Sequence, residues 1–186
     1  MEFSLSPDQQ TFQDAVTRFA QRHLEADALA RAHSDEYPWD VSKLMAEQGL
    51  LGITVAEEDG GVGGSLMDAV LAIEAVASVC PRSADVVQAG NFGAIRVLAE
   101  YGSRDLKERF LTPLLSGDAL ISVGMTEPDA GSAVTELRSN VTRDGNGWRL
   151  NGTKVFNTHI PHAAYMIVYC RFGPGTHGIG SVLIDT

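Results

Sequence analysis

No stretch of this chain approaches the roughly 20 consecutive apolar residues that a bilayer-spanning helix needs. The opening Met1-Glu2-Phe3-Ser4-Leu5 has neither a basic n-region nor an apolar h-region, so it does not read as a signal peptide. It is acidic and lacks arginine, which argues equally against a transit peptide. Cysteine is scarce: Cys80 and Cys170 are too few for a disulfide framework, and each follows apolar residues and reads as buried filler. The expected compartment is therefore the reducing cytoplasm. Charged residues make up 20% of the 186 and hydrophobic ones 44%, so a core is available and little of the chain reads as disordered. That length suits one large domain or two small ones.

Basic charge is also lacking, and unevenly. Residues 1–120 carry 19 Asp and Glu against 9 Lys and Arg, while residues 121–186 carry 5 against 5. A nucleic-acid surface needs clustered Lys and Arg, so the acidic first two thirds argue against one. The neutral last third would tolerate an anionic ligand better. Charge by itself does not separate that reading from plain solubility.

Several chemical motifs are missing. Gly60-Gly61-Val62-Gly63-Gly64 lacks both the G-x-G-x-x-G spacing and a P-loop lysine, and reads as a turn. There is no G-x-S-x-G elbow to support a hydrolase triad. His159-Ile160-Pro161-His162 has an intervening proline and no Cys, Asp or Glu beside it, a poor metal site. Asn140-Val141-Thr142 and Asn151-Gly152-Thr153 match glycosylation sequons but read as turn or strand residues.

What is present changes character near residue 120. Ser6-Pro7-Asp8-Gln9 is a helix start with cap, N1 proline and Gln three after the cap. Phe12, Val16, Phe19 and Leu24 then fall on one face. Asp40 can cap a helix over Val41 to Gln48, closed by Gly49, before an apolar connector from Leu50 to Val55. Ser65 can cap a further helix stopped by Pro81; residues 83–101 and Ser103 to Leu115 read as two more. Beyond 120 the pattern is strand-like: Leu120 to Met125, Arg138 to Thr142, Trp148 to Leu150, Thr153 to Phe156, Tyr165 to Phe172 and Ile179 to Ile184. Asp144-Gly145-Asn146-Gly147 is a hairpin signal. The expected class is α+β multidomain: a helical domain over 1–119, then a partial antiparallel, barrel-like β domain over 120–186. Few short strands leave open edges, a liability unless they are covered.

Thr126-Glu127-Pro128-Asp129-Ala130-Gly131-Ser132 stands out among the loops. It follows an apolar strand and concentrates hydroxyls, a proline and a glycine. It is either an ordinary loop or one that offers hydroxyls and backbone N–H groups to a polar ligand.

With the residues around it, this segment resembles the flavin-dependent acyl-CoA dehydrogenases. Val123-Gly124-Met125 followed by Thr126 to Ser132 is similar to the family's T-E-x-x-x-G-S flavin signature. Pro7 to Phe19 resembles its first helix, and Leu50-Leu51-Gly52-Ile53 with Glu57-Glu58-Asp59-Gly60-Gly61 its G-L-x-G…P-E-x-Y-G-G region. Gly102-Ser103 through Leu114-Leu115-Ser116-Gly117 resembles the run before the signature. Asn151-Gly152-Thr153-Lys154-Val155-Phe156-Asn157-Thr158 resembles N-G-x-K-x-W-I-T-N. Two departures stand out. Ala133 replaces the usual Asp, and Phe156 replaces a Trp that packs on the flavin; Phe keeps the aromatic face and loses the indole N–H.

The resemblance implies an FAD enzyme of fatty acid metabolism. It would remove an α proton and a β hydride from an acyl-CoA thioester, the hydride passing to flavin. It implies that Thr158 bonds the reactive flavin edge, that Thr126 contacts the pyrimidine end, and that Val123 to Met125 press backbone on the ring. Phe156 would stack, Gly131 would permit close approach, and Ser132 would contact flavin or the CoA phosphopantetheine. The helices around Val87 to Gly93 would either form the acyl slot or simply pack. The family's catalytic Glu sits in a C-terminal helical bundle, which these residues do not include, so no catalytic residue and no metal ligand is expected among them. The expected partners are an electron-transfer flavoprotein-like acceptor and further subunits, tetrameric or otherwise. The alternatives are a related flavin monooxygenase or nitroalkane-type oxidase, and a non-catalytic subunit.

Overall fold

A computed structural model describes residues 4–186. The reading of the opening residues as no signal peptide falls partly outside them. Two compact units divide the chain, Met1–Ala119 and Leu120–Thr186.

The first unit is helical. Helix α1 (Pro7–Leu24) opens with the expected capping box: Gln9 N–H donates to Ser6 Oγ at 3.2 Å, and Ser6 N–H to Gln9 Oε1 at 2.9 Å. Two N-terminal donors are thereby satisfied. Its buried stripe is Val16, Ala20 and Leu24. A short α2 (Ala28–Ala32) follows, which the sequence pattern did not indicate. Helix α3 (Trp39–Glu47) starts earlier than expected, so Asp40 lies in its first turn and does not cap it. Helix α4 (Leu66–Ala77) has a second capping box, Ser65 with Asp68, and buries Ala69, Leu71, Ala72, Ala75 and Val76. Its small residues let α1 and α5 approach closely.

Pro81 begins a helix and does not end one. It stands at the first turn of α5 (Pro81–Ala89), where a missing N–H leaves no helical bond unmade. The single helix expected over 83–101 is two, α5 and α6 (Ala94–Tyr101). Asn91 pins their junction. This side chain is fully buried; its amide donates to Leu50 O and Val87 O at 2.8 Å each, and its Oδ1 accepts from Thr54 N–H at 3.3 Å. Gly90 O accepts from Gly52 N–H at 2.9 Å, and a Cβ at Gly90 would stand 2.6 Å from Leu51 Cδ2. The Val87 to Gly93 stretch thus knits the apolar connector 50–55 to the helices. The glycine run is consumed the same way: the N–H groups of Val62, Gly63 and Gly64 donate to Gly52, Val55 and Ile53 carbonyls. Its amides are occupied, which suits a turn and not an anion cradle. Helix α7 (Arg104–Leu115), capped by Ser103, completes the unit.

The second unit is a sheet of five strands: β1 (Ile121–Gly124), β2 (Asn140–Asp144), β3 (Gly147–Asn151), β4 (Tyr165–Arg171) and β5 (Ile179–Asp185). The β2–β3 hairpin and the β4–β5 pair are antiparallel. The sheet is mixed, however, which corrects the antiparallel expectation. β1 pairs β4 in parallel from Ile121↔Tyr165 to Gly124↔Val168, and β2 meets β4 in parallel at Asn140↔Arg171. A tight turn forces antiparallel pairing, whereas the long excursion from Met125 to Ala164 can return the chain in the same direction. β4 is the central strand, and its Met166-Ile167-Val168 run is buried on both faces. The expected strand at Thr153–Phe156 does not form. Arg143 and its cross-strand partner Trp148 lie 3.9 Å apart on the edge hairpin, and Phe172 meets the Trp148 ring edge-on at 6.2 Å. Charge and ring stacking thus blunt that open edge. Cys80 and Cys170 are buried free thiols, as read.

Candidate functional site

The two segments singled out in the second unit lie side by side. Val155 N–H donates to Thr126 O at 2.9 Å. Lys154 Nζ donates to Met125 O at 2.9 Å and to Glu127 Oε1 at 2.8 Å. Met125, Thr126 and Glu127 are therefore each held by Lys154 or Val155. Glu127 in turn accepts Arg138 N–H on Oε2 at 2.6 Å and Ser139 N–H on Oε1 at 2.8 Å. One carboxylate thereby closes the neck of the loop carrying Gly131 and Ser132. A turn with reciprocal Glu127–Ala130 backbone bonds starts that loop.

Both members of the ion pair are buried, their side chains each 7% exposed. Burial by itself pushes the Glu127 carboxyl up. The Lys154 ammonium and the donors at Ser139 and Arg138 outweigh it and hold the pKa down at about 2. The packing is close on both sides. A Cβ at Gly124 would stand 2.4 Å from Met166 Cε and 3.2 Å from Lys154 Cγ. One at Gly152, where φ is +149°, would fall 2.1 Å from Ser139 Oγ and 2.7 Å from Ser139 Cα. Only glycine lets the second segment cross the start of β2 here.

The expected cofactor residues emerge around this clamp. Val123 is half-buried in β1, Thr126 is half-buried, and Met125, Gly131, Ser132, Phe156 and Thr158 are exposed. Thr158 is tied to β1 through its carbonyl, which accepts from Ser122 Oγ at 2.8 Å. Phe156 is the most unusual. Its ring is 90% exposed, and its backbone sits at φ +58°, a left-handed conformation rare for a bulky side chain. An exposed aromatic in this conformation gains little from packing. The Val155–Thr126 bond sets Met125 and Thr126 beside the segment that carries Phe156. Gly131 and Ser132 stand one turn further on, and a Cβ at Gly131 would meet nothing within 4 Å. A groove of about 430 Å³ runs between the segments, lined by Glu127, Pro128, Asp129, Arg138, Asn151 and Thr153 among others.

Sequence reasoning missed the Lys154–Glu127 pair as the organiser of this site. The signal was there to use: Lys154 is the sole lysine of residues 121–186 and lies inside a motif. Among the described residues, no cluster of His, Cys, Asp and Glu is disposed to hold a metal ion, and no helix is long and apolar enough to cross a membrane.

Comparison with known proteins decides the family. Residues 6–118 match the acyl-CoA dehydrogenase N-terminal domain and residues 122–186 the acyl-CoA dehydrogenase middle domain. The chain belongs to the acyl-CoA dehydrogenase family. A probable acyl-CoA dehydrogenase of Bacillus subtilis is 33% identical over all of the chain and 50% of its own length. A 3-sulfinopropanoyl-CoA desulfinase of Paraburkholderia xenovorans is 35% identical over 82% of the chain and 39% of its own length. Among solved structures, the FAD complex of PigA superposes with a TM-score of 0.90 at 28% identity, covering 100% of this chain and 50% of that one. The acyl-CoA dehydrogenase-family chain thus spans about half the length of the relatives it matches.

Proposed function

We propose that these residues form the helical and flavin-carrying parts of an FAD-dependent acyl-CoA dehydrogenase. The observation that carries this reading is the Val155–Thr126 pairing, which joins the two flavin-signature segments beside an exposed, strained Phe156. The surroundings suit a planar, amphiphilic, neutral ring system: one exposed aromatic, the hydroxyls of Thr126, Ser132 and Thr158, and open space at Gly131. Bound FAD would supply the acceptor for the hydride leaving the β carbon of the acyl thioester. The chain's own residues bind and orient. Phe156 would stack on the ring, Thr126 and Thr158 would hydrogen-bond its polar edges, Val123 to Met125 would offer backbone, and Ser132 would reach flavin or the phosphopantetheine of CoA.

Glu127 is not the base that takes the α proton. Its carboxylate already accepts from Lys154 and two backbone N–H groups, and a pKa of about 2 makes it a feeble base near neutrality. The base is assigned to a Glu outside these residues. Acyl-CoA substrate, an electron-transfer flavoprotein-like acceptor and oligomeric assembly in the cytoplasm complete the proposal. Anaerobic mixing of the 186-residue chain with FAD and acyl-CoAs of several lengths should leave the flavin band unbleached; bleaching would place a base within these residues. Thr158→Ala in an FAD-loaded protein should alter the flavin spectrum or its rate of reduction, and an unchanged pair would remove Thr158 from the site.

A second reading keeps the fold and the cofactor and changes the reaction. The 35% identical desulfinase favours it, since its name is that of a reaction other than dehydrogenation. In a form of the protein that also carries the base, reduction of flavin by a saturated acyl-CoA without oxygen supports the first reading; none with any acyl-CoA supports the second.

A further inference from the structure

Resting on the flavin reading, we propose that Lys154 and Glu127 are positioning residues, a buried latch that sets the geometry of the cofactor platform. Both side chains are spent on each other and on the surrounding backbone. Together they decide where the residues that touch the cofactor can stand.

A buried ion pair by itself stabilises little. Taking two charges out of water largely cancels their attraction, so a pair of this kind is weak evidence for stability by itself. Here each charge is instead fully used as a geometric device. Lys154 Nζ reaches a backbone carbonyl at Met125 and a carboxylate at Glu127, residues on either side of Thr126, whose carbonyl is held by Val155 N–H. The register between the segments 125–127 and 154–155 is thus set by alternate side-chain and backbone bonds. Glu127 extends the fixation to Arg138 and Ser139 N–H, at the far end of the loop that carries Gly131 and Ser132.

Irregular backbone needs such a device. No ladder of strand hydrogen bonds runs through residues 152–158 or 125–137, apart from a single isolated bridge between Glu127 and Ala130. The Phe156 conformation, at φ +58°, must moreover be held by its neighbours. A neutral hydrogen bond at this place would do the same job less rigidly, because charge-assisted bonds are shorter and stronger. Lys154 also has little freedom, since its stem passes over the end of β1, where a Cβ on Gly124 would come within 3.2 Å of its Cγ.

The test compares Lys154→Met, Lys154→Arg and Glu127→Gln with the unaltered full chain. Amide hydrogen exchange is read at Val155, Arg138 and Ser139, and FAD affinity and visible spectrum are read below the onset of thermal unfolding. Lys154→Met and Glu127→Gln should speed exchange at these amides at least tenfold while amides of the α4 capping box keep their rates. Both should weaken FAD binding about tenfold or more and shift the bound flavin's band. Lys154→Arg, which keeps charge and donors, should recover part of both. Unchanged exchange at these amides in the folded variants, or lost FAD affinity without faster exchange, would overturn the latch. So would full FAD affinity and an unshifted band in Lys154→Met. If the unaltered chain binds no FAD, the flavin reading fails, and the exchange experiment still decides whether the latch exists.

Discussion

The helical and β units treat their polar groups in opposite ways. In the helical unit, Asn91 is fully buried and hydrogen-bonded to three backbone groups, and the glycine-run amides are satisfied by the connector beside them. Such groups hold the unit together. In the β unit the buried polar pair, Lys154 and Glu127, supports a surface on which Phe156, Met125, Ser132 and Thr158 are exposed. The charge differs too, strongly acidic before residue 120 and balanced after it. A conspicuous motif is therefore not by itself a site. What distinguishes the two is whether its hydrogen-bonding groups are consumed internally or left presented.

Loss of the Asn91 side chain should have the largest effect. Asn91→Ala strands two carbonyls and an N–H in the interior, and each unsatisfied buried group costs about 1–3 kcal/mol. The helical unit should lose about 3 kcal/mol or more of stability by denaturant unfolding. Amide exchange in β4 should stay as it was; equal loosening there would show that the units do not separate as described.

Acid should strike the β unit through Glu127. Its folded pKa lies below the ordinary 4.5, at about 2, so its contribution to stability is complete above 4.5 and fades as pH falls through that window toward 2. Circular dichroism and amide exchange across pH 5 to about 2 should show the loop neck at Arg138 and Ser139 opening in this range. Glu127→Gln should abolish that pH dependence; persistence of the transition in the variant would assign it to another group.

The smallest effect on stability is expected at Phe156. Phe156→Gly removes a left-handed strain of about 1 kcal/mol, partly offset by the greater freedom of glycine when unfolded. With the ring 90% exposed, little packing is lost. Stability should hold or rise slightly while FAD affinity falls, as titration calorimetry would show. A clear loss of stability would mean the ring packs somewhere the exposure does not reveal.

Much of this was legible in the sequence because its signals are local. The capping boxes at Ser6 and Ser65 act across three residues, and the hairpin at Gly145-Asn146 links neighbouring strands. Helix periodicity in α1 was readable for the same reason. Other features were decided by partners far apart along the chain. Asn91 pins the junction of two helices by bonding to Leu50, 41 residues away, a partner no local window contains. Lys154 finds Glu127 across 27 residues, and the parallel pairing of β1 with β4 depends on how the chain returns after Met125. Propensity and capping are energies of a few neighbouring residues, so the sequence determines them directly. Strand direction, the burial of a charge pair and the exposure of Phe156 are set by which distant groups share one interior, and only the tertiary structure decides that.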